Sequence, residues 1–210
     1  MAGHPVKTEL HCTLVSGQSR SGKTFLSLKN LSTVACAPLR FIFDPLGIMA
    51  ETCRMPCAET EEELMMSLES GFVFFDPSHL FPGRQKDGFI WFAGWSYRIA
   101  QRAAGRKLLL VDECWKYCTP NAIPGPLAEW VQDGAKWGCE TMFVTQAPNK
   151  LHSSITGQLT EVIAFRTVDR LALDVLAGLG FDPAELSKLP PGKFIGLNLF
   201  SGRVWRGRMF

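Results

Sequence analysis

Residues 17–24 read Gly-Gln-Ser-Arg-Ser-Gly-Lys-Thr, a complete Gly-x-x-x-x-Gly-Lys-Ser/Thr pattern. Few sequence features constrain a fold as tightly. The loop it encodes cradles an anion in backbone N–H groups, and it does so where a strand leads into it and a helix leads out. Both flanks are present. Residues 10–16 are apolar and β-branched enough for a buried strand, and residues 23–36 carry Phe25, Leu26, Leu28 and Leu31 at helical spacing. Gly17 and Gly22 allow backbone angles closed to other residues. The run Gly17, Gln18, Ser19, Arg20, Ser21, Gly22, Lys23, Thr24 and Phe25 is therefore expected to hold a nucleoside triphosphate, ATP. Lys23 would reach the β- and γ-phosphates, Thr24 would place its hydroxyl on Mg²⁺, and the new helix would turn its positive end toward the anion.

Beyond the loop, strands and helices alternate. Residues 40–44, 72–76, 107–111, 140–145 and 161–166 are short apolar runs of strand type. Two of them stop at Asp-Pro, a turn signal. Helices are expected over 58–70, 89–104, 124–137 and 168–179, with a loop over 77–88. Asp182, Pro183 and Glu185 read as a further helix start, and residues 194–199 and 203–208 as a terminal hairpin across Ser201 and Gly202. This order implies an α/β fold: a mostly parallel central sheet flanked by helices, plus a C-terminal β-hairpin. Ligands in such sheets sit at the carboxyl ends of strands. The glycine loop, Asp44, Asp112, Glu113 and Gln146 all fall there.

With 210 residues, the chain suits one domain spanning residues 1–210, and 46% hydrophobic against 20% charged residues marks it as globular. A net charge of +2 neither demands nor excludes nucleic acid. The N-terminus lacks the apolar core of a signal peptide, and no apolar run approaches the roughly 20 residues needed to cross a bilayer. The expectation is a soluble cytoplasmic protein. Seven cysteines, an odd count, argue against a closed disulfide framework. The pairs Cys53/Cys57 and Cys114/Cys118 share one spacing, yet reduced, packed thiols fit them better than a zinc site.

The run Leu108, Leu109, Leu110, Val111, Asp112 and Glu113 supplies a second half for the site. Four apolar residues and an acid match a Walker B strand, in which Asp112 would hold Mg²⁺ beside Thr24. Glu113 would then polarise an attacking water. A small-molecule kinase has no need of that second carboxylate, because its nucleophile comes with the substrate, so the pair favours hydrolysis. Gln146 ends another apolar strand, where its amide could bond the γ-phosphate or the lytic water.

A P-loop, a strand ending Asp-Glu and a following strand ending Thr-Gln together resemble the HerA–FtsK superfamily of DNA-pumping ATPases. Residues 132–138 resemble that group's Gly-Arg-His-x-Gly stretch, with Ala135 and Lys136 where Arg-His is usual. Residues 163–166 and 189–194 resemble the compact viral members, the genome-packaging ATPases of tailless double jelly-roll viruses and phages. The resemblance runs from about Leu10 to Phe194. It implies an ATP-hydrolysing motor that moves phage DNA into a preformed capsid, found in the host cytoplasm or at a virion vertex. It also implies a ring, a hexamer, with ATP between subunits and a capsid-vertex or membrane protein as anchor. Arg166 and Arg170 are the candidate catalytic arginines reaching a neighbour's ATP, with Arg106 as an outsider. Catalysis would otherwise rest on Lys23, Glu113 and Gln146.

DNA in such a ring would be held by its phosphates, independent of sequence. The candidate contacts are Arg84, Lys86, the hairpin residues Arg203, Arg206 and Arg208, and Arg98, Arg102 and Arg106, which are four apart and could make one helical face. Phe89, Trp91 and Phe92 read as core or subunit contacts. Zot-like and filamentous-phage assembly ATPases share the Asp-Glu and Thr-Gln signals. They continue into a transmembrane helix and a periplasmic part, and this chain's end without either places that reading second. A nucleotide kinase and a slow regulatory module are the other classes.

Overall fold

The computed structural model describes residues 10–33 and 37–209; residues 34–36, where the first helix was expected to continue, lie outside this set. The first half of the chain forms β1 (Cys12–Ser16), α1 (Lys23–Thr33), β2 (Leu39–Phe43), α2 (Ile48–Cys53), β3 (Cys57–Ala58), α3 (Glu61–Ser67), β4 (Phe72–Phe75) and α4 (Gln85–Arg102). The second half forms β5 (Lys107–Val111), α5 (Gly125–Gln132), β6 (Cys139–Thr145), α6 (Ser153–Thr156), β7 (Glu161–Phe165), α7 (Arg170–Gly178), α8 (Pro183–Lys188), β8 (Lys193–Asn198) and β9 (Val204–Arg208).

The nine strands make one sheet in the order β3-β4-β2-β5-β6-β1-β7-β8-β9. Pairing is parallel from β3 to β7 and antiparallel for β7 with β8 and β8 with β9. Every residue of β1, β2, β5 and β6 is buried, because helices cover both faces of the parallel region. Side chains alternate between those faces. Phe41 and Phe43 enter one core with Phe75 and α4, while Ile42 enters the other with Val15, Leu26 and Leu31 of the α1 layer. Phe89 and Phe92 of α4 are fully buried against Phe43 and Phe75, and Trp91 stacks on Trp95. These aromatics therefore build the core.

The terminal hairpin turns on Asn198, whose side-chain oxygen accepts from the backbone N–H groups of Phe200 and Ser201. Three expectations need correction. Helix α4 begins at Gln85, not at residue 89, because Gly88 serves close packing and not a turn: a Cβ there would stand 2.5 Å from Pro77 Cβ. The expected helix over 124–137 breaks after Gln132 into a 3₁₀ turn, Gly134–Trp137, with Gly134 pressed against Cys139. Residues 57–58 pair with β4 as an edge strand, and a capping box between Thr60 and Glu63 starts the helix only at Glu61.

The short helices α2 and α6 were not foreseen. Six or four residues carry too little local preference to announce a helix. Burial raises the Cys12 and Cys139 thiols to about 11, as packed thiols require. Among the described residues no helix is long and apolar enough to cross a membrane.

Candidate functional site

Strand β6 lies between β5 and β1, so the loops leaving the carboxyl ends of these three neighbours meet. The glycine loop is pinned at its start. Gly17 N–H donates to Thr145 O at the end of β6 (3.3 Å), and Gln18 N–H donates to Arg166 O just past β7 (2.9 Å). Phe165 supports it from below. A Cβ at position 17 would stand 2.6 Å from Phe165 Cβ, and Gly17 and Gly22 have φ of 153° and 107°. Both glycines are thus required for close approach and for backbone angle. Arg20, at the exposed part of the loop, takes φ of 59° without being glycine.

Lys23 opens α1 with only 6% of its surface exposed. Its Nζ donates to Gln18 O at 2.9 Å, curled into the loop. Burial depresses its pKa, against the opposing pull of Glu113 and Asp112. The Ser21 hydroxyl is buried without a hydrogen-bond partner. A desolvated cation and an unpartnered hydroxyl inside a loop whose Gly17 leaves no room for a Cβ fit a phosphate chain.

Thr24 Oγ1 donates to Asp112 Oδ2 at 3.1 Å, joining groups 88 positions apart. Asp112 Oδ1 accepts from the N–H of Glu113 at 2.8 Å. Burial and then the Glu113 charge raise the Asp112 pKa. A divalent cation between Thr24 and Asp112 would relieve that penalty, so this oxygen pair fits Mg²⁺. A carboxyl raised above 3.8 in the fold stabilises the metal-free protein at low pH, and that contribution is lost as pH rises through the raised value. The thermal midpoint of metal-free protein, relative to Asp112→Asn, is expected to fall as pH increases from about 4 to 7. A constant difference would show that burial does not shift this carboxyl.

Glu113 sits in the left-handed region, φ 48° and ψ 44°. Its Oε1 accepts from Gln146 Nε2 at 2.7 Å and its Oε2 from Trp115 Nε1 at 2.5 Å. Gln146 thus touches Glu113 directly. A cavity of about 220 Å³ adjoins these groups, lined by Thr24, Leu46, Ile48, Asp112, Glu113 and Tyr117 among others.

Three other residues take roles the sequence did not suggest. Asp44 caps α2: its Oδ2 accepts from Ala50 N–H at 2.8 Å, which accounts for a buried acid at the end of β2. Arg106 forms an ion pair with the buried Glu140, which also accepts from His11 N–H, so Arg106 is structural at the other end of the sheet. It is neither a finger nor part of an open basic face with Arg98 and Arg102. Arg206 grips Glu185 through two nitrogens.

Arg166 is half-buried beside its own chain's loop, with its Nε lacking a partner. Arg170 is exposed at the first position of α7. Trp115 and the cavity residues Leu46, Ile48 and Tyr117 were missed. Only the place of Trp115, two residues past Asp-Glu, could have drawn notice.

No family model and no curated protein matches the chain. Solved structures do. The genome-packaging NTPase B204 of Sulfolobus turreted icosahedral virus 2, in complex with ATP-gammaS, is 16% identical, with a TM-score of 0.73 over 94% of this chain and 97% of that one. VirB4 of Thermoanaerobacter pseudethanolicus is 10% identical, with a TM-score of 0.66 over 94% and 89%. EccC (ATPases 2 and 3) of Thermomonospora curvata is 14% identical, with a TM-score of 0.62 over 97% of this chain and 37% of that one. The chain shares the ATPase fold of these proteins, in agreement with the HerA–FtsK resemblance that its motifs carry.

Proposed function

We propose that this chain is the subunit of an ATP-hydrolysing motor that moves viral DNA into a preformed capsid. The observation that carries the reading is the contact of three sequence-distant elements through Asp112 and Glu113. Lys23 and Thr24 stand with Asp112, and Glu113 stands with Gln146. Lys23 and the loop amides bind the triphosphate, and Thr24 and Asp112 hold Mg²⁺. Glu113 accepts a proton from the attacking water, and Gln146 senses the γ-phosphate. Mg²⁺ held by Thr24 and Asp112 would supply neutralisation of the phosphate charge.

A ring, hexameric by the family resemblance, fits the surface around this pocket. Phe25, Leu46, Ile48, Val168 and Leu171 are exposed apolar side chains close in sequence to the site residues or lining its cavity. A neighbouring copy covering them would close the site and keep water out. Arg170 is then the arginine for the neighbour's ATP, since Arg166 lies at its own loop. The DNA contacts are with phosphates, and a vertex or membrane protein anchors the ring.

Steady-state ATPase assays with and without duplex DNA test this reading. Turnover is expected to rise several-fold with DNA of any sequence, and the response to weaken as salt increases. Turnover indifferent to DNA would overturn the motor. Phosphoryl transfer to a nucleoside or nucleotide would replace it with a kinase.

A further inference from the structure

Glu113 is held more firmly than a water-activating carboxylate needs to be. Both of its oxygens accept hydrogen bonds, one from Gln146 and one from the Trp115 indole. Its backbone occupies the left-handed region, which a glutamate keeps only where its surroundings impose it. Trp115 itself lies in the 3₁₀ turn Cys114–Lys116, anchored by the buried Cys114 and Tyr117 on either side. The turn therefore stays in place, and the indole is half-buried against the edge of the core.

A second contact reaches the same ring from the opposite loop. Lys150 Nζ lies 4.5 Å from the centroid of the Trp115 ring. Lys150 is exposed and ends the turn Pro148–Lys150, which starts two residues after Gln146. The loop after β6 thus grips the loop after β5 twice, directly at Glu113 and indirectly through Lys150 on Trp115. Lys116, next to Trp115 in sequence, is exposed as well and lines the cavity.

We propose that Trp115 is a positioning residue that latches Glu113, and that Lys150 is the handle by which a DNA phosphate opens the latch. This rests on the motor reading given above. A carboxylate oxygen already occupied by an N–H donor is not free to accept a hydrogen bond from the lytic water. A cation–π contact at an exposed site is weak, and a polyanion displaces it. When phosphate draws Lys150 away, the indole loses its cover, rotates, and leaves one Glu113 oxygen to the lytic water. Hydrolysis then waits for DNA.

The test uses the full chain with Mg-ATP, with and without duplex DNA, and two variants. Trp115→Phe keeps an aromatic face for Lys150 and removes the N–H. Its DNA-free kcat is expected to rise about three- to tenfold with KM for ATP unchanged, and its stimulation by DNA to shrink by the same factor. Lys150→Met keeps the aliphatic stem on the ring and removes the charge. It is expected to lose most DNA stimulation and to show a raised DNA-free rate.

A Trp115→Phe kcat equal to or below the parent's, or undiminished stimulation, overturns the latch. Structural damage would lower kcat, so a rise with constant KM separates positioning from stability. If Trp115→Phe does not fold, Lys150→Met decides alone, and normal stimulation in it overturns the proposal. A parent enzyme without any DNA response overturns the motor reading and the role of Lys150. A parent that responds while both variants behave like it overturns the latch alone.

Discussion

Replacing Lys23 with alanine is expected to weaken ATP binding by about 10²–10³-fold, the scale on which a buried charge pair loses one partner. Lys23 is 6% exposed, and its ammonium donates to the Gln18 carbonyl. Burial depresses its pKa, so the fold holds this charge under a penalty that a triphosphate would relieve. The loop backbone should survive the change, because Gly17, Gln18 and Phe165 fix it independently of this side chain. Titration with a fluorescent ATP analogue measures the effect. An affinity within threefold of the parent's would remove the loop from the nucleotide site.

The second large effect is expected at Glu113. Glutamine there keeps the size of the side chain and an oxygen that accepts from Gln146 or Trp115, but it cannot take a proton. Lys23, Thr24 and Asp112 are untouched, so Mg-ATP should bind as before. Turnover should fall by about 10²–10⁴-fold, the usual worth of a general base. Equilibrium binding beside single-turnover hydrolysis separates the two steps. A variant that hydrolyses at the parent rate would mean that another group activates the water. Glu113 and Gln146 touch at 2.7 Å, so Gln146 variants should alter the same step and combine with Glu113→Gln non-additively.

Much of this was legible in the residue order. The glycine loop has one mechanism, and its flanks are strand and helix as that mechanism requires. The buried runs of β2, β4, β5, β6 and β7 announced parallel strands because both faces are covered. What escaped was either too short or too distant. Helix α2 has six residues and exists because Asp44 caps it and Gly47 turns the chain into it. Arg106 seemed part of a basic face along α4, yet that helix ends at Arg102 and Glu140, 34 positions on, claims the guanidinium. Gly88, read as part of a loop, and Gly134, read as part of a helix, are both points of close packing.

The chain's own order determined which segments are strands, which are helices, and that a glycine-containing loop follows β1. Those outcomes depend on backbone angles, glycine and side-chain periodicity, all of which act over a few residues. Only the tertiary structure decided that β6 inserts between β5 and β1, setting Gln146 on Glu113 and Thr24 on Asp112. Strand order is chosen by burial over the whole sheet, and no local pattern records it. The same long-range packing put Trp115 on Glu113 and Lys150 on Trp115, although neither residue stands out in the sequence.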